Sequence, residues 1–392
     1  MKIGIFSLLV RASLLAVSVL GQNTDDEELA RKNADFATRL YSKIASSSDE
    51  NVAISTLGTT LALATLAAGA GGATRTELLQ GINVASMEKE GEPERIQTLL
   101  KGLREITAQI QATGLFMKQD VRAEEGFSKQ VKLFYNADVQ HVNFANGQQA
   151  KGSINDYVRS RTGDKVKDVV ENVDPQSMAM FISAAFFPGK WLQPFNNTFT
   201  QEERFYVNKY KIVQVPMMLH SGKYYLAYDP TLKVGILKLP CEEGNAMLVL
   251  LPDEDVDYTF IDESMTGDVF RGWVEKLKKT KLEIQLPRFT LKQSNSLSIS
   301  LPSLGIKEIF GNTADLSGIS SSEGLKLSEV RDLSNNTRKL SKIFMSMYFS
   351  RLPVTCNHDF NKCCHNIDVF VCIYTVHYGL KIGAYYDFLK CF

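Results

Sequence analysis

The sequence is poor in proline, with 11 in 392 residues, and its 26 glycines are too few for a fibrous or linker-rich chain. It has no surplus charge: 44 Lys and Arg stand against 44 Asp and Glu, so no basic field calls for nucleic acid. Outside the first 21 residues no apolar run approaches the roughly 20 residues that span a bilayer. Several catalytic signatures are also missing: a Gly-x-Ser-x-Gly elbow, a Walker loop, a His-Glu-x-x-His pair and a dinucleotide-binding glycine fingerprint. What is present, 44% hydrophobic and 22% charged residues, describes a soluble globular chain long enough to bury a large core.

Two further scarcities are local. Cys241 is alone in the first 330 residues, whereas Cys356, Cys363, Cys364, Cys372 and Cys391 crowd the last 62. Glutamate is absent from those same 62 residues, which carry a net charge of +4, while residues 22–330 carry −6. His358, His365 and His377 lie in the tail as well. Residues 331–392 thus read as a different kind of sequence from the body.

Residues 1–21 fit a secretory signal: Lys2, apolar Ile3 to Val10, Arg11, then apolar Ala12 to Leu20. Val19 and Gly21 suit a peptidase site, and polar Gln22-Asn23-Thr24-Asp25 follows. A buried or amphipathic N-terminal segment is the alternative. In a secreted chain, Asn196 and Asn335 become glycosylation acceptors through Asn196-Asn197-Thr198 and Asn335-Asn336-Thr337.

In the body, Leu29, Phe36, Leu40 and Ile44 mark one face of a helix. Thr59 to Ala70 is apolar on nearly all sides, which predicts a helix buried in a large core and ended by Gly69, Gly71 and Gly72. Arg95 to Gln111 is helical in period, and Gly163 closes a helix carrying Ile154, Tyr157 and Val158. Met178 to Phe187, bounded by Asp174-Pro175 and Pro188-Gly189, predicts a central strand covered on both faces. Strands are expected at Phe205 to Val207, Val213 to Met218, Gly235 to Leu239, Met247 to Leu251 and Leu282 to Leu286. Helices lead and strands follow without βαβ alternation, so the fold class is α+β, in one domain.

Nine segments in order carry a family resemblance. They include Asn33-Ala34-Asp35-Phe36-Ala37, Asn51 to Gly72, Ile154-Asn155-Asp156-Tyr157-Val158, Ala184 to Trp191, and Val215-Pro216-Met217-Met218. Leu250 to Glu254, Leu286-Pro287-Arg288-Phe289, Leu304-Gly305-Ile306 and Ala314 to Ile319 complete the set. Over residues 26–330 the chain resembles a serpin. That resemblance implies helices packed on three β-sheets, and inhibition of extracellular serine proteases by a suicide-substrate mechanism in which a cleaved loop enters a sheet as a new strand. It implies no enzyme activity and no cofactor.

The same resemblance assigns a sheet-opening region. Ser55, Thr56, Gly58 and Ser183 fall at its shutter and Trp191 at its breach, but Thr56 stands for a usual proline, Gly58 for a serine and Ser183 for an asparagine. The shutter's histidine would come from a strand just after Leu327 that the sequence does not suggest. Asn208-Lys209-Tyr210-Lys211 resembles a branch of the family in which the Lys-Tyr pair meets a cofactor protein, against the plainer reading of a solvated lysine and a packing tyrosine. Lys276, Lys278, Lys279 and Lys281 form a basic cluster with two readings, a glycosaminoglycan contact or a solvated helix end and strand start.

The parts that would capture a protease are missing. After Leu327-Ser328-Glu329-Val330 the family continues into an acidic hinge and an alanine-rich run; this chain reads Arg331-Asp332-Leu333-Ser334-Asn335-Asn336-Thr337. The tail lacks paired Cys/His clamps, so no metal site is expected. Val369 to Val376 and Leu380 to Tyr386 suggest a hairpin, and the sequence leaves open whether it docks where the family's last two strands lie.

Overall fold

The structure, a computed structural model, describes residues 25–47, 52–105, 110–186, 190–208, 211–241, 246–253, 256–288, 291–336, 344–351 and 368–375. The expected signal segment, 1–21, lies outside the described residues. The chain enters through helix α1 (25–45), whose Leu29, Phe36, Leu40 and Ile44 are buried as their spacing requires. A short strand β1 (Ala53–Ile54) then leads into α2 (Thr56–Ala68). All of α2 but its last residue is buried, so its all-round apolarity has the expected cause.

Further helices are α3 (Gly72–Gly81), α4 (Arg95–Glu105), α5 (Glu125–Tyr135) and α6 (Gly147–Thr162). Gly163 caps α6 at φ +55°, a left-handed conformation that costs glycine least.

One sheet has five strands: β2 (Ile110–Lys118), β3 (Asp138–Val142), β4 (Ala179–Phe186), β10 (Leu291–Ser296) and β11 (Glu329–Asn336), in the order β10-β11-β4-β2-β3. Every residue of β4 is buried, as the proline-bounded apolar run predicts. Its residues alternate between two cores. Met180, Ile182 and Ala184 join Ile154, Tyr157 and Val158 beneath α6, while Phe181 joins the main core with α2.

The other strands are β5 (Gln201–Asn208), β6 (Lys211–Asp229), β7 (Val234–Pro240), β8 (Ala246–Pro252) and β9 (Lys278–Pro287). The short helices α7 (Tyr258–Ser264) and α8 (Gly267–Glu275) precede β9, and α9 (Ser300–Ser303) follows β10. Strand β6 runs 19 residues, far beyond the expected Val213 to Met218. It pairs with β5, β7 and β9, and so joins into one hydrogen-bonded sheet what the resemblance divides into two.

Two strands from the tail complete that sheet: β12 (Phe344–Arg351) and β13 (Asp368–Thr375). The order is β1-β12-β13-β8-β7-β6-β5, with β12 parallel to β1, β13 parallel to β8, and the two antiparallel to each other. Strand β13 matches Val369 to Val376 closely and pairs with β12 and β8. The second half of the expected hairpin, Leu380 to Tyr386, lies outside the described residues. No described helix is long and apolar enough to cross a membrane.

Candidate functional site: the seam between β4 and β11

The five-stranded sheet has one internal seam where parallel strands distant in sequence meet. There β11 lies beside β4 with Glu329 opposite Met180 and the register unbroken to Asn335 opposite Phe186. The strand that the sequence does not suggest is therefore present. Its composition hides it: of Glu329-Val330-Arg331-Asp332-Leu333-Ser334-Asn335-Asn336 only Val330 and Leu333 are apolar.

Asp332 sits mid-seam, fully buried, in register with Ser183 on β4 and Asn295 on β10. Its Oδ2 accepts the backbone N–H of Ser55 at 2.9 Å. Ser55 is the N-cap of α2, and its Oγ accepts the Gly58 N–H at 3.2 Å. The carboxylate thus lies against the positive end of a 13-residue helix, which favours a negative charge. Asn295 adds a tie by donating from Nδ2 to the Ala53 carbonyl at 2.6 Å. Asp332 and Asn295 are the site residues that sequence reasoning missed; reading β11 as a strand would have placed the first opposite Ser183.

Ser55, Thr56, Gly58 and Ser183, which the resemblance assigns to a shutter, are all buried, and Gly58 lies against Ser55 and Ser183. Gly58 has a steric reason. A Cβ at that position would come within 2.7 Å of Ser55 Oγ and 2.9 Å of Ser183 Oγ, so only glycine lets α2 pack this closely on β4. Thr56 opens the helix where its side chain is enclosed.

Trp191 lies apart from this cluster, beyond the end of β4. It is buried, bridges Cys241 in the backbone, and meets Phe195 edge-to-face at 5.9 Å. Across the sheet, Tyr157 joins α6 to the β2/β3 pair: its hydroxyl hydrogen is shared between the Thr113 carbonyl (2.6 Å) and Asp138 Oδ2 (2.9 Å). Burial pushes the Tyr157 hydroxyl well above its ordinary pKa, and the nearby Asp138 adds to this. Burial also pushes Asp138 upward, but hydrogen bonds from Lys132 and Tyr157 and the charge of Arg161 outweigh it and hold that carboxyl below its usual value.

The basic cluster divides between the end of α8 and the start of β9, with Lys276, Lys278, Lys279 and Lys281 all exposed. Lys281 is directly opposite Lys223 on β6, and Lys279 is opposite Tyr225, whose ring lies under both Lys279 Nζ (6.0 Å) and Lys238 Nζ (5.6 Å). Among the described residues, Lys223, Lys278, Lys279 and Lys281 form no ion pair. Asn196 lies on an exposed turn, its Oδ1 accepting from the N–H and hydroxyl of Thr198. Asn335 lies within β11, in register with Lys292 of β10 and Phe186 of β4. Lys209 and Tyr210 lie outside the described residues.

Residues 31–334 match the profile of the serpin (serine protease inhibitor) family. The human protein Z-dependent protease inhibitor is 31% identical over 311 residues, covering 78% of this chain and 70% of its own. The human plasma serine protease inhibitor is 32% identical over 303 residues, covering 76% and 74%. Among solved structures, the mouse protein Z-dependent protease inhibitor superposes with a TM-score of 0.76 at 28% identity, over 79% of this chain and 85% of that one. Human thyroxine-binding globulin, complexed with thyroxine, gives the same score at 23% identity over 90% and 95%, a likeness of fold alone.

Proposed function

The chain belongs to the serpin family, and on that premise we propose that it is a secreted, glycosylated relative of the extracellular serine-protease inhibitors that does not itself trap a protease. The observation that carries this reading is the closed seam. Capture by loop insertion requires β4 and β11 to part over seven register pairs and to admit a strand of small side chains between two apolar cores. In this chain β11 is followed by Thr337-Arg338-Lys339-Leu340-Ser341-Lys342-Ile343. Placing Arg338, Lys339 and Lys342 in that sheet would cost several kcal/mol for each ion. A bait residue for a protease is likewise missing from residues 331–392. Secretion rests on residues 1–21 and glycosylation on exposed Asn196.

The test is incubation with trypsin-like and chymotrypsin-like proteases followed by denaturing electrophoresis. Cleavage without a protease adduct supports the proposal, and an SDS-resistant adduct refutes it.

A second reading, an extracellular binding or decoy protein, is favoured by the lysines around Tyr225. Lys223 and Lys281 face each other directly, an arrangement that costs stability unless an anion bridges them. A sulfated glycosaminoglycan over Lys276, Lys278, Lys279 and Lys281 supplies that anion. Removing Lys279 and Lys281 together should lower the salt needed to elute the protein from heparin. By likeness to its relatives, a protein Z-like partner would meet Lys209 and Tyr210.

A further inference from the structure

Along β6, Lys223 and Tyr225 alternate with buried Tyr224 and Leu226, so the first two share the outer face of the sheet. The cross-strand neighbours of Tyr225 are both lysines, Lys238 on β7 and Lys279 on β9. Their ammonium groups share its ring, with Lys238 Nζ 5.6 Å and Lys279 Nζ 6.0 Å from the centroid. Both distances lie at the outer reach of a cation–π contact, so the ring stabilises each charge only weakly.

The two lysines differ in their surroundings. Lys279 is exposed, whereas Lys238 is half-buried, with Tyr225 opposite it on one side and fully buried Leu248 of β8 on the other. Among the described residues no carboxylate pairs with Lys238. The other charged groups on this face are Lys223 and Lys281, directly opposite each other, Lys279, and Glu283, whose carboxylate accepts the Ser221 hydroxyl at 3.2 Å. Burial holds the Lys238 ammonium below the usual lysine pKa. Partial desolvation beside a second cation is the environment that makes a lysine amine nucleophilic. Loss of the Lys238 proton also removes the like charge that Lys279 meets over the shared ring.

We propose that Lys238 is a covalent modification site for small aldehydes that carry an anionic group. The Lys238 amine adds through its lone pair to the aldehyde carbon and forms a C–N bond. A proton passes to the former carbonyl oxygen, and water then leaves to give an imine. Lys223, Lys279 and Lys281 receive the anionic group of the reagent. This site differs from the glycosaminoglycan reading in needing the neutral amine of Lys238 rather than its charge, and it uses neither the seam nor the tail.

The probe is pyridoxal phosphate, added to the full chain at neutral pH in less than equimolar amount. Borohydride then reduces the imine to a stable secondary amine, which peptide mass spectrometry locates. The expected result is that Lys238 carries most of the label, whereas the urea-unfolded chain spreads it over many lysines. Raising the pH toward the ordinary lysine range should shrink the advantage of Lys238, because the other amines then lose their protons too. Lys238→Arg, which keeps the charge, should lose the dominant adduct. Lys223→Ala combined with Lys281→Ala, both at exposed side chains, should slow the labelling of Lys238 several-fold, and added salt should do the same to the unaltered protein. Label spread over the folded chain in proportion to lysine exposure would overturn the proposal, as would an unchanged labelling rate in the double variant.

Discussion

Asp332 and Ser55, 277 residues apart, are joined by a 2.9 Å hydrogen bond from the Ser55 backbone to the Asp332 carboxylate. One bond thereby fastens β11 to the start of α2, and so holds the seam shut from beneath. Asp332→Ala leaves a buried N–H without its acceptor and should cost about 2–3 kcal/mol in urea denaturation. Asp332→Asn retains an acceptor oxygen but loses the charge at the helix end, and should cost about 1 kcal/mol.

Gly58→Ser restores the residue usual in the family but has no room for it. The added Cβ meets Ser55 Oγ at 2.7 Å and Ser183 Oγ at 2.9 Å, so a loss of about 1–3 kcal/mol is expected. Ser183→Ala removes one of the two obstructing oxygens, so the double variant should be less destabilised than the sum of the singles.

Tyr157→Phe removes the bond that ties α6 to Thr113 and Asp138 and should cost about 1–2 kcal/mol. Because Asp138 is held below its ordinary carboxylate value, its contribution is fully present above that value and is lost as pH falls through the lowered one. Stability measured against pH should therefore decline on the acid side of the usual carboxylate range, and Asp138→Asn should flatten that part of the profile.

The tail closes the large sheet. With residues 337–392 removed, β1 and β8 become open edges beside exposed core, and the protein should aggregate or bind hydrophobic dye during purification. The register also predicts a cross-link: Ala53→Cys with Met345→Cys, in an otherwise cysteine-free background, should form a disulfide, since these residues are Cα partners.

Elements with a continuous apolar signal were legible in the sequence. β4 and α2 are buried on all sides, and their runs say so without ambiguity. β6 was half legible because Ser221, Gly222 and Lys223 interrupt its apolar character, although hydrogen bonding to β9 carries the strand straight through them. β11 was illegible because its stability comes from neighbours on both edges and from a helix terminus, none of which periodicity records. Asp332 reads as a surface charge in the sequence and becomes a core residue only once α2 points at it. Trp191 was singled out by resemblance, yet its backbone bridge to Cys241 joins segments that no local pattern relates.

In the non-inhibitory form proposed above, the seam between β4 and β11 accepts no further strand. Melting temperature before and after limited proteolysis within residues 337–367 tests this most directly, because a sheet that gains a central strand becomes much more stable. An unchanged or lower melting temperature is expected of the nicked protein. A rise of more than about 10 °C, the equivalent of several kcal/mol for a chain of this size, would contradict it.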